Sequence, residues 1–273
     1  MKYCRYQTES GPQLGELQER NGAYWIVQNL SAVLSLRESQ VPEHFEPIPV
    51  DQVTLLPPVT PSKIVCVGRN YRDHAKELGN EVPAEPLLFF KPPSSLLAPG
   101  GTIRLPPASE RVDFEGELAI VIAKQARHLH RDQNLRPFIH GFTLANDVTA
   151  RDLQKKDGQW TRAKGFDTFC PVGPFLDTSF DIDLSGAHPL TIETHVNGEL
   201  RQHGSTADFI FTLPVLLEYI TAAMTLEPGD LLLTGTPAGV GPLAAGDTVQ
   251  ISVPGLGRLT NPVATEKPVL PQN

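Results

Sequence analysis

The chain has 273 residues, enough for one large domain or a domain with a small appendage. Hydrophobic residues make up 40% and charged residues 20%, the balance of a globular protein. The formal charge is -8 with no cluster of Lys and Arg, which argues against a nucleic-acid partner. No apolar run nears the roughly 20 residues that span a bilayer. The start, Met1-Lys2-Tyr3-Cys4-Arg5-Tyr6, is too polar for a signal peptide. Cys4, Cys66 and Cys170 are odd in number and far apart, so reduced thiols and a cytoplasmic location are expected.

In chain order, short apolar pieces come first. Asn21-Gly22, ahead of Ala23-Tyr24-Trp25-Ile26-Val27, signals a hairpin. Residues 1–57 thus read as a small β subdomain without a catalytic cluster. Pro57-Pro58-Val59-Thr60-Pro61 stiffens the chain, and residues 62–273 form the main domain. Lys63–Gly68 predicts a buried strand, and Asn70–Gly79 a short helix with Gly at its end. Leu87–Pro93 is a strand broken by prolines. Strands recur at 118–123, 138–145, 190–196, 231–234 and 249–253. The best helical spacing covers Thr206–Leu226, with Pro214 marking an earlier turn or a kink. Many turns and few helices predict an α+β, mostly β protein with a mixed sheet.

The most informative run is Val112-Asp113-Phe114-Glu115-Gly116-Glu117-Leu118. In a strand, residues two apart share a face, so Glu115 and Glu117 would sit together beside Ala119 and Val121. Two carboxylates near a core repel and lose hydration, and a hard divalent cation relieves both costs. The competing reading is an edge strand with two solvated glutamates. Asp147, at the end of an apolar run, is placed to be a third oxygen ligand or to cap the helix that follows. Lys164, amid glycine and aromatics, fits an anion-holding lysine as well as a surface one. His74 and Glu77 are three apart, the arrangement of a base oriented by a carboxylate, or of a weak surface pair. The loop Thr234-Gly235-Thr236-Pro237-Ala238-Gly239-Val240-Gly241 is neither a Walker A loop nor a dinucleotide fingerprint. Its glycines would let backbone and the Thr236 hydroxyl approach a small ligand. His128 and His130 sit in a charged turn and read as solvated.

Taken in order, several strings resemble the fumarylacetoacetate hydrolase family: Gly68-Arg69-Asn70-Tyr71 with His74 and Glu77; Phe90-Lys91-Pro92; Asp113-Phe114-Glu115-Gly116-Glu117-Leu118; Asn146-Asp147-Val148-Thr149-Ala150-Arg151-Asp152; Ala163-Lys164-Gly165-Phe166-Asp167; Val196-Asn197-Gly198-Glu199; and the Thr234–Gly241 loop. Each string is weak alone, and their order is specific. The resemblance covers about residues 62 to 262, in its acylpyruvate hydrolase and oxaloacetate decarboxylase-like branch.

It implies a β-roll catalytic fold, a homodimer, and Mg²⁺ or Mn²⁺ on Glu115, Glu117 and Asp147. Lys164 matches an active-site lysine, and His74 with Glu77 a water-activating pair. Arg151, Gln154, Thr236 and Lys91 match residues that bind substrate. The activity it implies is hydrolysis of a C–C bond in an acylpyruvate-type 2,4-dioxo acid through a pyruvate enolate. Other enolate reactions stay open: decarboxylation or tautomerisation of oxaloacetate, and isomerisation or decarboxylation of 2-hydroxymuconate-type diacids. A non-catalytic metal-carboxylate module would explain the acids but not Lys164 or the His74–Glu77 pair.

Overall fold

The computed structural model describes residues 1–30, 45–77, 79, 81–180 and 189–266. Among these residues the protein is mostly β, with three sheets and a few short helices. The expected strands are present, displaced by one or two residues at their ends. Asn21 and Gly22 both take positive φ, 52° and 79°, and turn Gly11–Arg20 into Ala23–Asn29. Both angles suit the tight turn that an Asn-Gly pair favours.

The central part of the largest sheet runs Lys2–Thr8, Cys170–Asp177, Ile139–Asn146, Gly116–Ile122, Leu231–Leu233, Ile64–Gly68 and Leu87–Lys91. Leu231–Leu233 and Ile64–Gly68 are parallel neighbours, and most other pairs are antiparallel. The sheet is therefore mixed, as expected.

Gly116–Ile122 is buried on both faces, and its alternation divides two cores. Leu118, Ile120 and Ile122 pack with Phe142, Leu216, Ile220 and Ile251. Ala119 and Val121 pack on the other side with Ile64, Cys66, Cys170 and Leu233. The three cysteines are free and buried, and Cys66 and Cys170 behave as small apolar residues in this second core.

Two expectations need correction. The helix expected over Thr206–Leu226 is shorter, Leu213–Ala223. Pro214 lies in its first turn, where a missing N–H costs nothing, so it starts the helix rather than kinking it. Glu115 does not share a continuous strand with Glu117, because it sits in a break between Val112–Phe114 and Gly116–Ile122. The short helix after Tyr71 is present as Arg72–Glu77, and the Gly79 N–H donates to Lys76 O at 2.9 Å. Leu78, within the expected helix, lies outside the described residues.

Candidate active site

Register builds the site. Gly116–Ile122 is antiparallel to Ile139–Asn146 with Gly116 opposite Asn146. The start of one strand therefore meets the end of the other, and Glu115, Glu117 and Asp147 converge. Asp147 N–H donates to Glu115 O at 2.9 Å, and Glu115 N–H donates to Asn146 Oδ1 at 2.9 Å. Leu231–Leu233 runs antiparallel to Gly116–Ile122 and delivers the Gly235 amide to Glu117 Oε2 at 2.7 Å. Ile64–Gly68, parallel to Leu231–Leu233, brings Gly68 and Arg69 to the same sheet end.

Asp147 does not cap a helix. The helix that follows is Arg151–Asp157, with Ala150 at its N-cap. Its carboxylate instead lies among cations. Lys164 Nζ donates to Glu115 Oε2 at 2.8 Å and to Asp147 Oδ2 at 2.5 Å. Lys91 Nζ donates to Asp147 Oδ1 at 2.7 Å and to Val148 O at 3.1 Å. Arg151 donates to Glu115 Oε1 at 2.5 Å, to Asp113 Oδ2 at 2.9 Å and to Gln154 Oε1 at 2.7 Å. Asp113, buried itself, also accepts from Arg111 at 2.9 Å and 3.2 Å and so orients the guanidinium of Arg151.

These neighbours set the charge states. Burial disfavours the charged form of Glu115, but Lys164, Arg151 and His74 outweigh it and hold the carboxyl well below its ordinary range. Glu117 goes the other way: burial, then the negative charges of Asp147 and Glu115, raise it well above. Burial works against the Lys164 ammonium, yet Asp147 and Glu115 raise it. Burial lowers His74 despite Glu115 and Glu77, so its imidazole is neutral at pH 7.

A divalent cation fits these residues. Glu115, Glu117 and Asp147 are buried, and each offers an oxygen within 4.8 Å of the others'. Among the described residues, Glu117 accepts a hydrogen bond only from the Gly235 amide and forms no ion pair. Three hard carboxylate donors suit Mg²⁺ or Mn²⁺ better than a soft metal.

The cluster opens into a cavity of about 410 Å³ whose lining includes His74, Arg151, Gln154, Lys164 and Thr236. His74 Nδ1 lies 3.4 Å from Glu77 Oε2, at the long end of a hydrogen bond. Glu77 also accepts the Gly239 N–H at 3.2 Å and 3.1 Å, tying the helix to the Gly-rich loop. Thr236 Oγ1 donates to Gly116 O at 2.9 Å and accepts from Gln202 at 2.7 Å. Lys91 is the exception among the expected substrate-binding residues. It stands behind Asp147 and does not line the cavity. Arg69, Phe89, Lys155 and Trp160 line it without having been singled out from the sequence. A larger cavity of about 1750 Å³ beside Trp25, Glu193 and Arg258 holds no cluster of three metal-ligating side chains among the described residues. His128 and His130 are exposed, as expected.

Gly239 has φ +101°, and a Cβ there would lie 2.1 Å from Arg201 O. Gly239→Ala is therefore expected to cost at least about 1–3 kcal/mol from the backbone alone. Urea unfolding would measure it, and an unchanged midpoint would contradict the assignment.

Comparison with known proteins adds the lineage. A sequence profile described as "Fumarylacetoacetate (FAA) hydrolase C-terminal" matches residues 63–264. The chain belongs to the fumarylacetoacetate hydrolase family. It is 51% identical to "Protein Rv2993c" of Mycobacterium tuberculosis, over 79% of this chain and 80% of that protein. It is 44% identical to "Oxaloacetate tautomerase Fahd2a, mitochondrial" of Rattus norvegicus, over 79% of this chain and 71% of that protein. The crystal structure of 2-hydroxyhepta-2,4-diene-1,7-dioate isomerase from Mycobacterium marinum superposes with a TM-score of 0.82 at 41% identity, covering 97% of this chain and 99% of that one. The family is one of enzymes acting on small oxo acids. No helix among the described residues is long and apolar enough to cross a membrane.

Proposed function

We propose that this protein is a divalent-metal-dependent enzyme that moves a proton on a 2-oxo acid through its enolate, with oxaloacetate-type tautomerisation as the first reading. One observation carries it: a buried imidazole shares a cavity with three convergent carboxylates and a buried lysine. The relatives named for oxaloacetate tautomerase and for a dienedioate isomerase support the same class.

Glu115, Glu117 and Asp147 would hold Mg²⁺ or Mn²⁺. Bound there, the ion would act as a Lewis acid on the substrate's carboxylate and 2-oxo oxygens. Lys164 adds a fixed positive charge beside the developing enolate. His74 accepts the proton from the carbon next to the 2-oxo group and delivers it to the enolate oxygen, or the reverse, and Glu77 orients the ring. Arg151, itself fixed by Asp113, and Gln154 bind the 2-oxo acid end. Lys91 acts by holding Asp147.

A second reading, hydrolysis of a C–C bond in an acylpyruvate, is favoured by the His74–Glu77 pair, which could take a proton from water as readily as from carbon. Oxaloacetate and acetylpyruvate, each followed by loss of enol absorbance with and without EDTA, test both readings. Silence on both substrates with Mg²⁺ and Mn²⁺ present would sink the proposal.

We also place the protein in the cytoplasm as a homodimer. Light scattering of the full chain at micromolar concentration should give twice the mass of 29.8 kDa, and a stable monomer would refute this. The division into residues 1–57 and 62–273 is a proposal too. It rests on the Pro57–Pro61 stretch, although Lys2–Thr8 continues the catalytic sheet by pairing with Cys170–Asp177.

A further inference from the structure

The cavity carries two cations that its own carboxylates do not use. Arg151 and Lys164 are committed to Glu115, Asp147 and Asp113. Arg69 and Lys155 line the same cavity. Among the described residues neither has a hydrogen-bonded, ionic or ring partner for its side chain. The remaining carboxylate of the lining, Glu117, is turned to the Gly235 amide within the metal cluster.

Both cations line the cavity without an ion pair to that cluster. Lys155 is four residues beyond Arg151 on the helix Arg151–Asp157, which places it on the same face about 6 Å further along. Arg69 follows Gly68, which a chain of contacts ties to the cluster. Lys164 Nζ lies 4.8 Å from the Phe89 ring centroid, and Phe89 meets Trp160 edge-on at 5.1 Å. Trp160 in turn covers Gly68, where a Cβ would come within 3.0 Å of its ring. The lining of the cavity thus joins the carboxylate and ammonium cluster, the apolar rings of Phe89 and Trp160, and Arg69, which follows Gly68 in the chain.

Arg69 is also held. Its φ is 56°, a left-handed conformation that costs a non-glycine residue free energy and tends to persist at ligand sites. The next residue anchors it. Asn70 Nδ2 donates to Thr234 O at 2.9 Å and to Phe211 O at 3.2 Å, and Asn70 Oδ1 accepts the Phe211 N–H at 2.8 Å. A half-buried arginine on a fixed root, with no acid paired to it among the described residues, is a preorganised anion site.

We infer that Arg69 and Lys155 form a subsite for a second carboxylate at the far end of the substrate, so that the enzyme takes 2-oxo dicarboxylates in preference to acylpyruvates with an uncharged end. This rests on the 2-oxo acid reading of the same site, and it selects among the substrates that reading leaves open.

The test uses the Mg²⁺-loaded full chain and two matched ligand pairs, oxaloacetate against 2-oxobutyrate and 2-oxoglutarate against 2-oxopentanoate. Within each pair only the terminal group changes, from carboxylate to methyl. Calorimetric titration should show at least one diacid binding about ten- to a hundredfold tighter than its partner, the worth of charge-assisted hydrogen bonds. Arg69→Asn, which suits the left-handed backbone, and Lys155→Met should each bring that ratio towards one while the monoacid binds as before. Arg69→Lys should keep part of the preference. Unchanged monoacid binding doubles as the control for folding. Ratios near one in the unaltered protein, or a preference that survives both neutralising substitutions, would overturn the subsite and leave the 2-oxo acid reading standing. Failure of all four ligands to bind the metal-loaded protein would overturn both.

Discussion

Glu115→Ala is expected to reduce metal-dependent turnover by about a thousandfold or more. Losing one of three carboxylates removes part of the ion's hold, and Lewis-acid stabilisation is worth several kcal/mol, with each 1.36 kcal/mol a factor of ten. The chain should stay folded, because neither cation paired with Glu115 is stranded. Lys164 keeps Asp147, and Arg151 keeps Asp113. The cost should therefore fall below the roughly 3–5 kcal/mol of an orphaned buried charge. Calorimetric titration with Mn²⁺ should show weakened binding, and circular dichroism an intact fold. Full turnover in this variant, or in the unaltered protein after exhaustive chelation, would end the metal assignment.

Much of the fold was legible because its signals are local. Asn21-Gly22 dictates its turn through backbone conformation alone. Gly116–Ile122 declares itself by the continuous apolar run Leu118-Ala119-Ile120-Val121-Ile122. The helix near residue 213 was harder. Phe209 fits the helical spacing, but it packs against the core from an isolated bridge to Tyr71, before the helix begins. Periodicity reports which side chains are buried, and burial does not require a helix. The pairing of Tyr3 with Leu176 was not legible, because no local pattern encodes a partner so distant in sequence.

The site divides the same way. Glu115, Glu117, Asp147 and Lys164 were visible as acids and a lysine in apolar surroundings, and the structure brings them together. The reason for their convergence differs from the expected shared strand face. An antiparallel register and a strand break do the work. Lys91 could not be placed from sequence, since its position behind Asp147 is a matter of packing. Arg69 was visible only within the string Gly68-Arg69-Asn70-Tyr71 and Lys155 not at all, because whether a charge finds a partner is a fact about what surrounds it, and most exposed cations are solvated and inert.

The second large effect concerns His74. His74→Ala should lower kcat/KM by roughly 10²–10⁴-fold for any reaction in which it moves a proton from carbon or from water. Decarboxylation of oxaloacetate needs no such base, only the stabilised enolate and room for CO₂ to leave, so it should fall much less. Lys164→Ala should impair both, through the shared enolate. The acid limb of the pH profile follows from the lowered pKa of His74, for which burial is the largest cause. The neutral ring is the working form, so activity should persist at pH 7 and fall as pH drops through a value below the ordinary 6.5. That limb should vanish with the imidazole in His74→Ala, leaving a low and flatter profile. Measuring kcat/KM for both reactions across pH, with metal saturating, separates proton transfer from positioning. Equal losses in both reactions with the limb intact would mean that His74 orders the helix Arg72–Glu77 over the cavity, and the base would have to be sought elsewhere in its lining.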